Sequence, residues 1–338
     1  MKIDIYNHIL PKPYFDKMVS LSATGAYMQK RVNEIPMLYD VNARFEKINQ
    51  FGEDYVQVFS LNLPPIEVVV GPEDSPDLAR LANDSMAEVV SKNPDRFPGF
   101  VASLPLNNPE ATVIEAERAI KELGAKGVQI FSNVNGSALD DPVLNPLWAK
   151  MEELDLPIWL HPTRAASFAD YDDEERSKYD MWWVFGWPYE TSVAMGRLVM
   201  SGIFDRHPNI KIIAHHMGAM VPYFEGRVGP GLDQLGKRGD DPEDAGALGK
   251  LAKRPFDYFR MFYADTAVFG SLPATQCGLA FFGADHVLFA SDAPFDPEKG
   301  SGYIRETLRV MDNLPVSIED REKIYAGNAR KLLKLANV

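Results

Sequence analysis

The chain has 338 residues, 46% of them hydrophobic and 25% charged; this is ample for a sizeable core and excludes a disordered, collagenous or coiled-coil protein. Asp and Glu number 48 against 35 Lys and Arg, a net charge of −13 with no basic run, so no nucleic-acid partner is expected. A lone cysteine, Cys277, excludes an internal disulfide and points to a reducing, cytoplasmic compartment.

The start, Met1-Lys2-Ile3-Asp4, has an acid where a signal peptide needs apolar residues. No apolar run reaches about 18 residues, so no membrane partner is expected either. In chain order, strand-like runs fall at 2–8, 54–60, 97–104, 127–132, 157–161, 211–216, 262–266 and 287–292. Several are almost continuously apolar and turn polar at their C-terminal ends, the pattern of parallel strands buried on both faces. Helical patterns lie between them at 75–92, 108–123, 145–154, 190–204 and 302–314, and 317–336 reads as one or two closing helices. Ser75 suits the N-cap of the 75–92 helix, and Ser317 with Asp320 resembles a capping box.

Eight strands alternating with helices predict βαβ units and a parallel sheet. A doubly wound open sheet would gather its ligands near one switch point. Here polar residues end many strands, so the sequence predicts a (β/α)8 TIM barrel, one domain over 1–338. The surplus over a typical barrel of about 250 residues lies in long connections after strands one, five and six, at 9–39, 163–189 and 217–260. The second of these holds Trp182, Trp183, Phe185, Trp187 and Tyr189, either packing that loop down or walling a pocket.

Nucleotide-binding glycine loops, a G-x-S-x-G elbow and C-x-x-C are absent. Four of the six histidines end strands: His8, His161, His215 and His216; Asp292 ends the eighth. In a barrel these ends converge, and imidazoles with a carboxylate are the ligands of catalytic zinc, which keeps one position open. His207 and His286 fall at the opposite, N-terminal face and are read as structural.

At these residues the sequence resembles the amidohydrolase superfamily. The runs are Asp4-Ile5-Tyr6-Asn7-His8-Ile9-Leu10-Pro11, His161-Pro162, Ala214-His215-His216-Met217-Gly218 and Ser291-Asp292-Ala293-Pro294. With Gly186-Trp187-Pro188 and Pro208-Asn209-Ile210-Lys211, they are most similar to the branch containing aminocarboxymuconate semialdehyde decarboxylase and resorcylate-type decarboxylases. The resemblance spans nearly the whole chain, in order. It implies a divalent metal, zinc first and manganese second, held by His8, His161 and Asp292. His216 is then the acid/base, with Asp292 also able to exchange protons. Because side chains alternate along a strand, only one of His215 and His216 is expected to point fully inward, and the resemblance selects His216.

One departure stands out. The branch usually has His-x-His or Glu-x-His on strand one, where this chain has Tyr6-Asn7-His8. Tyr6 ligates as a phenolate, or the remaining three ligands suffice, or the metal is lost and Tyr6 hydrogen-bonds the substrate. Arg164 is a candidate partner for a substrate carboxylate, with a plain loop arginine as the alternative. Arg44 lies roughly where the branch places a substrate-facing arginine. Trp187 and Phe295 are placed to stack on a flat substrate. The resulting expectation is a metal-dependent, non-oxidative decarboxylase of an aromatic or unsaturated carboxylic acid, working as a homodimer. The alternatives are a metal-dependent hydrolase of a lactone, amide or C–C bond, and a metal-free barrel with a binding role.

Overall fold

The structure, a computed structural model, describes residues 1–21 and 30–335. Eight parallel strands close into a barrel, each run falling where the apolar pattern puts it. Strand β1 is formed by two hydrogen-bonded pieces, Lys2–Asp4 and His8–Ile9. Next come β2 (Tyr55–Leu61) and β3, again in two pieces, Gly99–Phe100 and Ala102–Ser103. The others are β4 (Val128–Phe131), β5 (Ile158–His161), β6 (Ile212–Ala214), β7 (Tyr263–Asp265) and β8 (Val287–Leu288).

Neighbours in sequence pair in space around the barrel. Lys2 lies opposite Tyr55, Val58 opposite Gly99, Ala102 opposite Val128, and Val128 opposite Ile158. Ile158 then faces Ile212, Ile213 faces Tyr263, and Ala264 faces Val287. Three backbone hydrogen bonds close the ring between β8 and β1: Ile5 N to Phe289 O (3.0 Å), Asp292 N to Tyr6 O (2.9 Å) and His8 N to Ala293 O (2.8 Å).

Two apolar layers hold the barrel. Inside, Ile3, Ile5, Val56, Val101, Trp159, Ile213 and Leu288 fill the lumen. The Trp159 indole donates across it to Ile5 O at 3.1 Å. Leu332, Leu333 and Leu335 of the C-terminal segment join this layer and cap it. Outside, the strands pack against α1 (Lys12–Leu21), α2 (Val41–Ile48), α3 (Ser75–Lys92), α4 (Pro109–Lys121), α5 (Asn145–Leu154), α6 (Gly186–Met200), α7 (Leu272–Phe282) and α8 (Ser301–Asn313).

Local chemistry sets the helix ends. Asp40 accepts from Asn42 N and Ala43 N at the start of α2, and Asn108 caps α4 through Ala111 N. The start of α3 differs from its sequence reading: Asp74 flanks the helix without a side-chain cap, and Ser75 sits inside the first turn, its hydroxyl turned back to Pro72 O. Helix α6 begins four residues earlier than its apolar pattern and stops before Gly202, which takes a left-handed φ of 73° and starts the short helix Ile203–Arg206. Ser317 does cap the closing segment, accepting from Asp320 N at 3.0 Å.

Candidate active site

The C-terminal ends of β1, β5, β6 and β8 bring their polar residues to the barrel axis. Nε2 of His8 lies 3.0 Å from Asp292 Oδ1, and its Nδ1 lies 3.3 Å from Ser60 Oγ. His161 turns Nδ1 to Pro162 O at 2.6 Å, which leaves Nε2 as the nitrogen available to the cluster. Asp292 adopts a left-handed φ of 62°, an uncommon conformation for a residue with a Cβ and one that functional sites retain. Ligand atoms of His8, His161 and His215 lie within 4.8 Å of one another, as do those of His215, His216 and Asp292. Imidazoles and a carboxylate at this spacing fit a divalent metal. The chain therefore carries a site for such an ion.

Strand β6 ends at Ala214, one residue short of the histidine pair. Alternation therefore does not operate across His215 and His216. His216 takes φ 55°, ψ 51°, and its ring stacks on that of His215 with centroids 3.6 Å apart. His215 is fully buried, with Nδ1 2.6 Å from Asp265 Oδ2 and Nε2 3.4 Å from Asp292 Oδ1. His216 is half-buried, and its Nδ1 lies 2.7 Å from Ala267 O. The ring that points fully inward is thus His215, where the sequence reading, following the resemblance, selects His216; His216 stacks on it at the edge of the cluster. Asp265, at the end of β7, is absent from that reading. It is fully buried and also accepts from His216 N (3.1 Å) and Ala267 N (3.0 Å).

Burial and neighbours set the charges. Burial alone would raise the Asp292 carboxyl, but hydrogen bonds from His215 and His8 hold it well below the usual range. Burial would lower His215, yet Asp265 and Asp292 carry it up to about 9. Burial, then the neighbouring His215, pushes His216 down to about 4, and burial also holds His161 well below the ordinary imidazole value.

Three residues expected to meet substrate do not reach the cavity. Tyr6 is fully buried, its ring flat on His215 (3.7 Å, 10°) and its hydroxyl donating to Gln129 Oε1 at 3.2 Å. Burial, with Asp265 and Asp292 nearby, raises this phenol well above its ordinary value, which disfavours a phenolate. Arg164 is paired with Glu190 Oε1 at 2.8 Å and lies over Phe168, so it is a loop arginine. Arg44 is fully buried in α2, donating to Asn7 Oδ1 (2.9 Å), Gln57 Oε1 (2.8 Å) and the His8 carbonyl. It fixes the backbone that carries His8.

Above the cluster lies a cavity of about 330 Å³, with His8, His161 and Asp292 in its lining and Trp182, Trp183, Trp187, Phe269, Phe295 and Tyr303 as aromatic walls. This size suits a small ligand. Trp187 meets the edge of His161 at 5.6 Å, and Phe295 tilts against His8 at 5.5 Å. The Trp-rich connection is therefore a pocket wall. Buried donors Asn62 Nδ2 and Trp187 Nε1 have no protein partner. Lys30 and Arg31 line the cavity from the connection after β1, with the Arg31 guanidinium 5.0 Å over the Phe295 ring. A larger open groove of about 930 Å³ against the connection after β6 contains none of the strand-end histidines. His207 pairs with Glu152 (3.0 Å), and His286 faces Phe262 O (3.0 Å).

A sequence profile of the family described as Amidohydrolase matches residues 40–335. Among curated proteins, the chain is 30% identical to a 2-amino-3-carboxymuconate-6-semialdehyde decarboxylase of Dictyostelium discoideum, covering 99% of this chain and 92% of that one. It is 35% identical to a gamma-resorcylate decarboxylase of Polaromonas sp., covering 88% and 89%. Among solved structures it is similar to a dihydroxybenzoic acid decarboxylase of Polaromonas sp. with bound manganese and the inhibitor 2-nitroresorcinol. The TM-score is 0.77 at 27% identity, over 100% of this chain and 98% of that one.

Proposed function

This chain belongs to the amidohydrolase family, and from that premise we propose that it is a metal-dependent, non-oxidative decarboxylase of an aromatic or unsaturated carboxylic acid. The observation that carries this reading is that His8, His161 and Asp292 line an aromatic-walled cavity, with His215 gathered against all three. His8, His161 and Asp292 would hold the ion. Zinc suits the donor set taken alone, and manganese is the ion bound in the related dihydroxybenzoic acid decarboxylase. When bound, such an ion supplies Lewis acidity and a template for a carboxylate and a neighbouring oxygen substituent.

The chain's own residues supply the rest. Trp187 and Phe295 sandwich a planar substrate and keep water from it. Lys30 and Arg31, which share the lining with Glu34, are the cations that meet an anionic substrate at the mouth. His216, with Nδ1 occupied by Ala267 O, has Nε2 free to accept a proton from the substrate's oxygen substituent or from water. His216 then delivers that proton, directly or through Asp292, to the carbon bearing the carboxylate. The C–C bond breaks, its electron pair stays with the ring or alkene, and carbon dioxide leaves.

The test is a panel of hydroxybenzoate- and muconate-like acids with zinc or manganese supplied. Carbon dioxide is expected, and in deuterium oxide one deuteron at the vacated carbon. No product from the panel overturns the reading. Solvent oxygen-18 appearing in the product instead makes the enzyme a hydrolase. The proposal extends to a homodimer in the cytoplasm: Phe185, Tyr189 and Tyr223 are exposed around the connections after β5 and β6, and sedimentation velocity checks the dimer.

A further inference from the structure

We infer that His215 takes the ligand position that β1 leaves open at Tyr6, so that the protein ligands of the ion are His8, His161, His215 and Asp292. This rests on the metal-dependent reading above.

Tyr6 has no freedom to serve. Its ring is clamped flat against His215, and its hydroxyl is committed to Gln129, whose amide nitrogen donates in turn to Leu61 O at 3.0 Å. His215 occupies the space beside it, between the Tyr6 ring at 3.7 Å and the His216 ring at 3.6 Å. Sandwiched this way, the imidazole has one orientation. Asp265 fixes it further by taking Nδ1 at 2.6 Å, and that carboxylate is itself anchored by two backbone N–H groups. A carboxylate behind one ring nitrogen is how proteins aim the other nitrogen at a metal. That other nitrogen, Nε2, points to Asp292 Oδ1, the same oxygen that His8 Nε2 approaches at 3.0 Å.

Among the described residues, His215 alone belongs to both candidate ligand groups. His216 belongs to one, is half-buried, and lies beside Phe269 at 5.3 Å, so it is left for proton transfer. The donor count lost at Tyr6 on β1 is thus restored from the end of β6, by a neutral imidazole rather than by a phenolate.

Cobalt(II) loading of the full-length protein, with affinity measured by chelator competition and ligands counted by X-ray absorption, tests this. Three imidazoles are expected on the unaltered protein; two overturn the proposal, and this count needs no variant. His215→Ala should weaken cobalt binding on the order of 100-fold, and Asp265→Asn about 10- to 100-fold, with circular dichroism unchanged. Tyr6→Phe should leave affinity within about threefold. If His161→Ala loses the ion while His215→Ala keeps it, the inference fails and the metal-dependent reading stands. If the unaltered protein binds no cobalt, zinc or manganese, both fail.

Discussion

His216 presents one nitrogen to chemistry. Its Nδ1 hydrogen is spent on Ala267 O at 2.7 Å, and burial disfavours its cation, so Nε2 is an unprotonated acceptor at neutral pH. A general base of this kind contributes about 10²- to 10⁴-fold. His216→Gln is therefore expected to lower kcat by that range while leaving metal content, measured by elemental analysis, unchanged; lost metal would make His216 a ligand instead. Asp292→Asn is expected to lower both together. His8, His161 and Asp292 were legible in the sequence because each ends an apolar run, and barrel geometry gathers such ends. Asp265 was not, because Tyr263-Ala264-Asp265-Thr266 looks like any strand running into a loop until the ring it supports is known. Lys30 and Arg31 come from a long connection whose path over the cavity no strand periodicity encodes. The His215–His216 pair misled because alternation holds only within a strand, and β6 ends at Ala214.

Elements that wall the cavity also carry its stability. Helix α6 brings Trp187 against His161, with the indole N–H buried and unpartnered. Removing such an aromatic contact costs about 1 kcal/mol beyond its area, so Trp187→Ala is expected to raise KM roughly tenfold, more than it lowers kcat, in steady-state kinetics. The short helix Ile66–Val69 after β2 buries Glu67, whose Oε1 has no partner and whose neighbour Tyr14 has an unpartnered hydroxyl. Burial raises the Glu67 pKa to about 7 from an ordinary value of 4.5. The folded state then holds a proton that the unfolded state has released, so stability is highest below about pH 4.5 and is lost as pH rises towards 7. The shift corresponds to about 3 kcal/mol. Urea unfolding at pH 5 and pH 8 should show Glu67→Gln reducing that pH dependence, and equal dependence in both proteins would refute it. Nothing around Glu67 in the sequence signals this, since Pro65-Ile66-Glu67-Val68 has the pattern of an exposed turn.

Closure makes the whole molecule depend on its site. The eight strands were readable because strands buried on both faces are apolar runs whatever their order; the breaks in β1 and β3 were not, since pairing geometry rather than composition ends those pieces. The seam between β8 and β1 is held by three backbone hydrogen bonds that flank His8 and Asp292. The proposed metal ligands come from the ends of β1 and β5 and from just beyond β6 and β8, residues 8 to 292, so a bound ion would tie the seam to the far wall of the barrel. A ligand at about 1,000 times its dissociation constant adds about 4 kcal/mol to the folded state, and for a chain of this size each kcal/mol moves Tm by roughly 2 °C. Calorimetry is therefore expected to show metal-loaded protein melting roughly 8 °C above chelator-treated protein. His161→Ala, with a ligand removed and binding weakened about 100-fold, should keep a shift of only about 3 °C. A chelator that leaves Tm unmoved would separate the site from the seam.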